Sequence, residues 1–145
     1  FIVGDGEEKQ NIVNYIKNKN LDYSFDYTPA TFQLTSWIKE VDRVNSGMDI
    51  ICLTSLNEGT PVSLIEAQAN GKPIVSTKTG GIENIVLENK TALLSKINDL
   101  NSFSKNLLSL VNDSEKRKLL SKYGLEKSKD FHYNNLINNM KKLYS

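Results

Sequence analysis

The chain has 145 residues, 24% charged and 39% hydrophobic, with a formal net charge of +1. That length suits one domain with a real core, and the balance of 18 basic against 17 acidic side chains argues against a nucleic-acid binder, which would carry a basic stripe. No run of about 18 apolar residues is present to span a membrane, no signal peptide is expected, and Cys52 is the single cysteine, so no internal disulfide can form.

A cytoplasmic protein with a buried Cys52 thiol is therefore expected, with no transmembrane segment. The chain starts at Phe1, already inside an apolar run, and reads as part of a longer polypeptide. "FIVGDGEE" predicts a short buried strand, a turn and a helix over 7–19, with Ile12, Tyr15, Ile16 and Lys19 on one face. Residues 21–37 are loop-like, with a strand at 31–35. Ile38, Val41, Val44 and Met48 recur about a turn apart and predict a helix over 37–47. "DIICLTS" (49–55) is nearly continuously apolar, as in a parallel strand covered on both faces. A helix over 61–70, a strand at 73–77, a "TGG" turn at 79–81, a short helix at 82–87 and a strand at 91–95 follow. Leu100, Phe103, Leu107, Leu110 and Val111 stripe a helix over 99–112. A more polar helix covers 114–128, and a third apolar stripe runs from Tyr133 to Tyr144.

Alternating short apolar strands and helices predict an α/β fold: a mainly parallel sheet of about five strands, helices on both faces, and helices at the C-terminus. In such sheets ligands bind beyond the carboxyl ends of the strands. The segment after 49–55 is "LNEGTPVSLIEAQANGKP". Thr60 suits an N-cap and Pro61 the first helical position. Gly71 suits the residue just past the helix, and Pro73 stops it. The N–H groups of residues 62–64 would then make an anion site at the sheet's carboxyl edge. Gly59 lets a ligand approach its backbone closely. Glu66, one turn into the helix beside Val62 and Ser63, could accept two hydrogen bonds from a ribose diol. Glu58, before the turn, could hold another part of the same molecule. The competing reading makes Glu58 a solvated loop carboxylate and Glu66 a surface residue of an amphipathic helix.

"GDGE" after a first strand, "SLNEGTPVSLIEAQANGKPIV", "STKTGG" and "IENIV", in this order across essentially the whole chain, resemble the retaining glycosyltransferases of family 4. Their architecture is GT-B, two Rossmann-like domains facing a cleft. The match falls on the C-terminal, nucleotide-sugar-binding domain, a three-layer Rossmann-like sandwich. The resemblance implies that Glu66 binds the ribose hydroxyls and that Glu58, the catalytic-site carboxylate, holds the donor sugar near its 3-hydroxyl. Gly59, Thr60 and Pro61 would line the sugar and phosphate pocket, and the backbone of Val62 and Ser63 would meet the diphosphate. Trp37 or the Ile38 backbone would flank the base, with a core or interface role as the alternative for Trp37. Gly4 and Gly6 would shape the turn at the cleft, or serve turn geometry alone. Gly80 and Gly81 read as turn glycines near the cleft.

The family domain has a further first strand, and a loop with an Arg and a Lys that neutralise the diphosphate; neither has a match in this sequence. The acceptor domain has none either. The chain alone is therefore expected to lack transferase activity and to bind nucleotide weakly at best. "FIV" is expected to close the gap by pairing with "DIICL", the alternative being a void with two open apolar edges. The implied reaction is retaining transfer from a nucleotide-diphosphate sugar, UDP-sugars foremost, to a saccharide or lipid-linked acceptor. It needs no cofactor and no metal, no nucleic acid is involved, and the full-length enzyme could associate peripherally with the inner face of the membrane. His132, opening the last helix, is read as structural.

Three rivals stand beside this. A nucleotide-sugar 2-epimerase shares the architecture, but the spacing of the two glutamates counts against it. A non-catalytic binding or receiver module would want clustered Asp at strand ends, where "DIICLTS" offers Leu, Thr and Ser. A dinucleotide-binding domain would want the last glycine of G-x-G-x-x-G, which "GDGEEK" lacks.

Overall fold

In the computed structural model, which describes residues 1–144, the chain separates into two units, Phe1–Val41 and the part from Asp42 onward. The first holds α1 (Lys9–Asn18) and the parallel strands β1 (Tyr23–Ser24) and β2 (Phe32–Gln33), with Tyr23 opposite Phe32. Its core is Val13, Ile16 and Leu34, packed by Ile2, Ile12, Tyr23 and Phe32. Val13, rather than the expected Tyr15 and Lys19, completes the inward face of α1; both of those are exposed.

The expected ladder between 1–3 and 50–53 is not formed among the described residues. Ile2 instead bridges Leu34 in parallel. Its N–H donates to the Gln33 carbonyl at 2.7 Å, and its carbonyl accepts from the Thr35 N–H at 2.9 Å. Both ladder groups of Ile2 are thereby used inside its own unit, which explains the different partner.

β1, in a segment read as loop, ends in a side-chain network. The Asp26 carboxylate accepts from Ser24 Oγ at 2.7 Å, from Thr28 Oγ1 at 2.8 Å and from the Thr28 N–H at 3.2 Å. The Ser24 hydroxyl first, then the two Thr28 groups, hold the Asp26 carboxyl down at about 2. The folded value lies below the unfolded one, so this contribution to stability is present above about pH 4 and is lost as the pH falls toward about 2. An NMR titration is expected to give Asp26 a midpoint near 2, and Thr28→Val is expected to move it upward. A wild-type midpoint near 4 would mean that the network does not form.

The second unit opens with the residues of α2 (Val41–Gly47) from Asp42 onward; the helix starts four residues later than predicted and leaves Trp37 and Ile38 outside any helix. β3 (Ile51–Leu53), β4 (Ile74–Thr77) and β5 (Ala92–Ser95) pair in parallel in that order, with Ile51 opposite Ile74 and Ile74 opposite Ala92. The strands are thus divided between a two-stranded and a three-stranded parallel ladder. Helices α3 (Val62–Ala69) and α4 (Ile82–Ile85) cover one face. There Leu64, Ala67, Ile82, Ile85 and Val86 meet Ile74, Ala92 and Leu94. On the other face Val75 and Leu93 meet Leu110 of α5 (Leu100–Asn112) and Leu120 of α6 (Ser114–Ser128). This unit is the three-layer α/β arrangement that the sequence predicts. Each fully buried Leu or Ile contributes about 1.5–3 kcal/mol, which makes this double core its main source of stability.

β4 and β5 are buried along their whole length, as their apolar runs require. β3 is not: it forms one edge of the ladder and Cys52 is exposed. The expectation of a doubly covered strand and a buried thiol is corrected on that point: Ile51 and Leu53 pack on the core of one face, whereas Cys52, which points to the other face, lies outside the cluster that α5 and α6 cover there.

Asp99 caps α5 through the Ser102 N–H, and Asp113 caps α6 through the Lys116 N–H, both at 2.9 Å. Arg117 donates to the Leu110 and Val111 carbonyls at the other end of α5. A 3-10 turn (Lys129–Phe131) leads to α7 (Tyr133–Tyr144). His132 Nδ1 accepts from the Asn134 N–H at 3.3 Å, the structural role expected of it. None of the α7 side chains is buried, so its apolar stripe stays exposed.

Candidate functional site

The carboxyl ends of β3 and β4 give rise to two loops, 54–61 and 78–81, that meet backbone to backbone. The Gly81 N–H donates to the Glu58 carbonyl at 3.1 Å. A Cβ on Gly80 would lie 1.8 Å from that same carbonyl oxygen, and one on Gly81 would lie 1.9 Å from the Gly59 oxygen. Gly80 also has φ +51. The "TGG" turn is therefore a wedge that fixes the height of the glutamate loop. Two hydroxyls fasten that loop further: Thr77 Oγ1 donates to the Ser55 carbonyl at 2.6 Å and Thr79 Oγ1 to the Leu56 carbonyl at 3.0 Å.

On this base Ser55 Oγ donates to Glu58 Oε1 at 2.5 Å, aiming the carboxylate. Ser55, Thr77 and Thr79 were not singled out from the sequence. The available signal was the alternation of hydroxyl residues in "STKT" just past a buried strand.

The helix start differs from expectation by one residue. Thr60 makes no side-chain cap. Pro61, buried with φ −72 and ψ 92, takes the cap position, and α3 begins at Val62. A residue before proline is held away from helical geometry, so Thr60 cannot join the first turn. The Leu64 N–H is used by the Pro61 carbonyl at 3.0 Å. That leaves the N–H groups of Val62 and Ser63 without an acceptor among the described residues. The other end matches prediction: Gly71, at φ +63, donates to the Gln68 carbonyl and Lys72 to that of Ala67, a Schellman closure.

Glu66 lies one turn above those two N–H groups, half-buried, and no side-chain partner holds its carboxylate among the described residues. Gly59 is exposed; a Cβ placed on it would meet nothing within 4 Å. The structure thus brings Glu58, Gly59, Thr60, Pro61, Val62, Ser63 and Glu66 together on one sheet edge. Two carboxylates and two free N–H donors there can bind a hydroxylated molecule carrying an anionic group.

The remaining candidates belong to the first unit. Gly4, at φ +126, and Gly6 line a cleft of about 290 Å³ with Ile2, Ile12, Leu34 and Lys9. Lys9 is held there by Asp5 at 3.2 Å and by Ser36 Oγ at 3.3 Å; nothing in its sequence context marks it out. Trp37 is 79% exposed, which removes the core alternative for it, and Ile38 is half-buried. Among the described residues no group of three or more His, Cys, Asp or Glu side chains is placed to hold a metal ion, and no helix is long and apolar enough to cross a membrane.

A family profile described as "Glycosyl transferases group 1" matches residues 1–127. A protein of Methanocaldococcus jannaschii named an uncharacterized glycosyltransferase is 30% identical, over 99% of this chain and 39% of its own length. A UDP-Gal:alpha-D-GlcNAc-diphosphoundecaprenol alpha-1,3-galactosyltransferase of Escherichia coli is also 30% identical, over 83% of this chain and 30% of its own. The chain spans between about a third and two-fifths of the length of these curated relatives. Among solved structures, HepE of Anabaena in complex with UDP-glucose superimposes with a TM-score of 0.83 at 17% identity, over 98% of this chain and 39% of that one. Sucrose-phosphate synthase from Thermosynechococcus elongatus gives 0.79 at 23% identity, over 96% and 34%. The fold is accordingly Rossmann-like α/β, as in these GT-B glycosyltransferases, and with its profile covering residues 1–127 the chain belongs to the glycosyl transferases group 1 family.

Proposed function

We propose that this chain is the donor-binding domain of a retaining, family 4-type glycosyltransferase that takes a nucleotide-diphosphate sugar, a UDP-sugar foremost. The observation that carries the reading is the pair of unpartnered N–H groups at Val62 and Ser63 set between Glu58 and Glu66. In this reading the two N–H groups receive the diphosphate, assisted by the positive end of the α3 dipole. Glu66 accepts the two ribose hydroxyls. Glu58, aimed by Ser55, accepts from the sugar near its 3-hydroxyl, while Gly59, Thr60 and Pro61 form the wall against the sugar and phosphate.

During transfer the bond between the sugar C1 and the diphosphate oxygen breaks, and a bond from C1 to the acceptor hydroxyl oxygen forms on the same face. The acceptor proton leaves to the departing phosphate. Stabilising that developing charge with fixed N–H dipoles is a preorganised electrostatic effect. No metal or cofactor is needed. A first strand with diphosphate-neutralising cations and an acceptor domain for a saccharide or lipid-linked substrate come from the rest of a longer protein. Residues 1–145 alone transfer nothing. The full-length enzyme works in the cytoplasm, with peripheral contact to the membrane where the acceptor is a lipid.

The test is nucleotide release by the full-length protein across a panel of UDP- and GDP-sugars. One donor is expected to stand out, with retained anomeric configuration by NMR. Conversion of a UDP-sugar to its 2-epimer without an acceptor would replace this reading with the epimerase.

A further inference from the structure

A second pocket lies on the opposite face of the three-stranded sheet, under α5. The register that sets Leu53 opposite Ser76 brings Thr54 level with Thr77, and Thr77 is opposite Ser95. Val75 and Leu93, two residues earlier on β4 and β5, pack against Leu110 of α5. Strand side chains alternate, so Thr77 and Ser95 share that face. Thr54, Thr77 and Ser95 thus form a row of hydroxyls across three strand ends. They line a cavity of about 340 Å³ whose other walls include Lys96, Leu100 and Phe103.

The Ser95 hydroxyl is the informative member. Ser95 is 5% exposed, yet its Oγ has no hydrogen-bond partner. A buried hydroxyl left unpaired is destabilising, and a ligand hydroxyl in the cavity would offset that. Thr54 makes no hydrogen bond through its hydroxyl among the described residues. Thr77 Oγ1 donates its proton to the Ser55 carbonyl and keeps its lone pairs for an incoming donor.

We propose that this cavity is a second binding site, separate from the glutamate cluster, for a neutral hydroxyl-rich ligand of the saccharide class. The walls select that class in three ways. Neighbouring strands stand about 4.8 Å apart, so the row offers hydroxyls at the pitch of those on alternate carbons of a sugar ring. Leu100 and Phe103 give an apolar wall for the C–H face of such a ring. Asp99, at the rim, already occupies the α5 N-terminus through the Ser102 N–H; its negative charge offsets that of Lys96 and leaves no anion site for a phosphate.

The site touches the proposed donor site through one loop only. Leu56 lines this cavity, and Glu58 lies two residues on. The reading does not depend on the donor assignment.

The experiment is a titration of the 15N-labelled protein with methyl α-D-glucopyranoside, methyl α-D-galactopyranoside and maltose, and separately with UDP. At least one glycoside is expected to shift the amides of 54–56, 77–78 and 95–99. Thr54→Val and Ser95→Ala are each expected to weaken that response at least five-fold while UDP shifts at 59–66 stay as in wild type. Ser95→Ala should also melt no lower, since it removes an unpaired group. Absence of any glycoside response, shifts confined to 59–66, or unchanged affinity in both variants would overturn the proposal. A glycoside response without a UDP response would uphold it, and matches the weak nucleotide binding expected of this chain alone; the donor reading is decided by the assay of the full-length protein.

Discussion

Gly80→Ala is expected to destabilise the protein by about 3 kcal/mol and to lower Tm by about 10 °C. The new methyl would sit 1.8 Å from the Glu58 carbonyl oxygen, and that oxygen is backbone, so no side-chain rotation relieves the clash. The left-handed φ of +51 adds about 1 kcal/mol of its own. Gly81→Ala has ordinary φ but a methyl 1.9 Å from the Gly59 oxygen, and is expected to cost about 2 kcal/mol. Gly47→Ala is the control: its methyl meets nothing within 4 Å and it ends a helix, so Tm is expected to hold or rise slightly. Thermal melts of the three variants decide the matter. If Gly80→Ala melts within about 2 °C of wild type, the two loops do not abut.

This wedge marks a boundary of what sequence can reveal. "TGG" announces a turn by composition, but not that its backbone touches the loop carrying Glu58, because that contact depends on β3 and β4 being neighbours. The elements themselves were legible where periodicity was strong. The predicted spans for α5, α6 and α7 agree with the structure to within a residue, since an apolar stripe (α5, α7) or an acidic cap (Asp99 for α5, Asp113 for α6) specifies a helix locally.

Residues 1–3, 21–37 and 49–55 were less legible. Strand pairing is a non-local choice, and three apolar residues do not say which edge they join. Ile2 found Leu34 rather than the segment at 50–53, and β3 remained an edge. At the site, the residue types of Glu58 and Glu66 were readable. The shift of the helix cap from Thr60 to Pro61 followed from proline's effect on its predecessor, a constraint that the N-cap preference of threonine does not contain. Ser55, the residue that aims Glu58, is one serine among several until the loop is folded.

Glu66→Ala in the full-length enzyme is expected to raise the donor KM about 30-fold, with little change in Tm. Two hydrogen bonds from ribose hydroxyls to a carboxylate contribute about 1.5–3 kcal/mol each when made, and part of this returns as solvation when they are lost. The side chain is half-buried and has no partner among the described residues, so its removal leaves no orphaned group in the fold. Glu58→Ala differs: it frees the Ser55 hydroxyl and removes the contact proposed for the reacting sugar, so kcat is expected to fall further than KM rises. Gly59→Ala completes the comparison. The fold leaves open space above Gly59, so its methyl is tolerated without donor and obstructs when donor is present. A higher KM at unchanged Tm for Gly59→Ala, beside a lower Tm for Gly80→Ala, would separate the glycine that serves the ligand from the one that serves the loop. Unchanged donor kinetics in both Glu66→Ala and Gly59→Ala would place the nucleotide elsewhere.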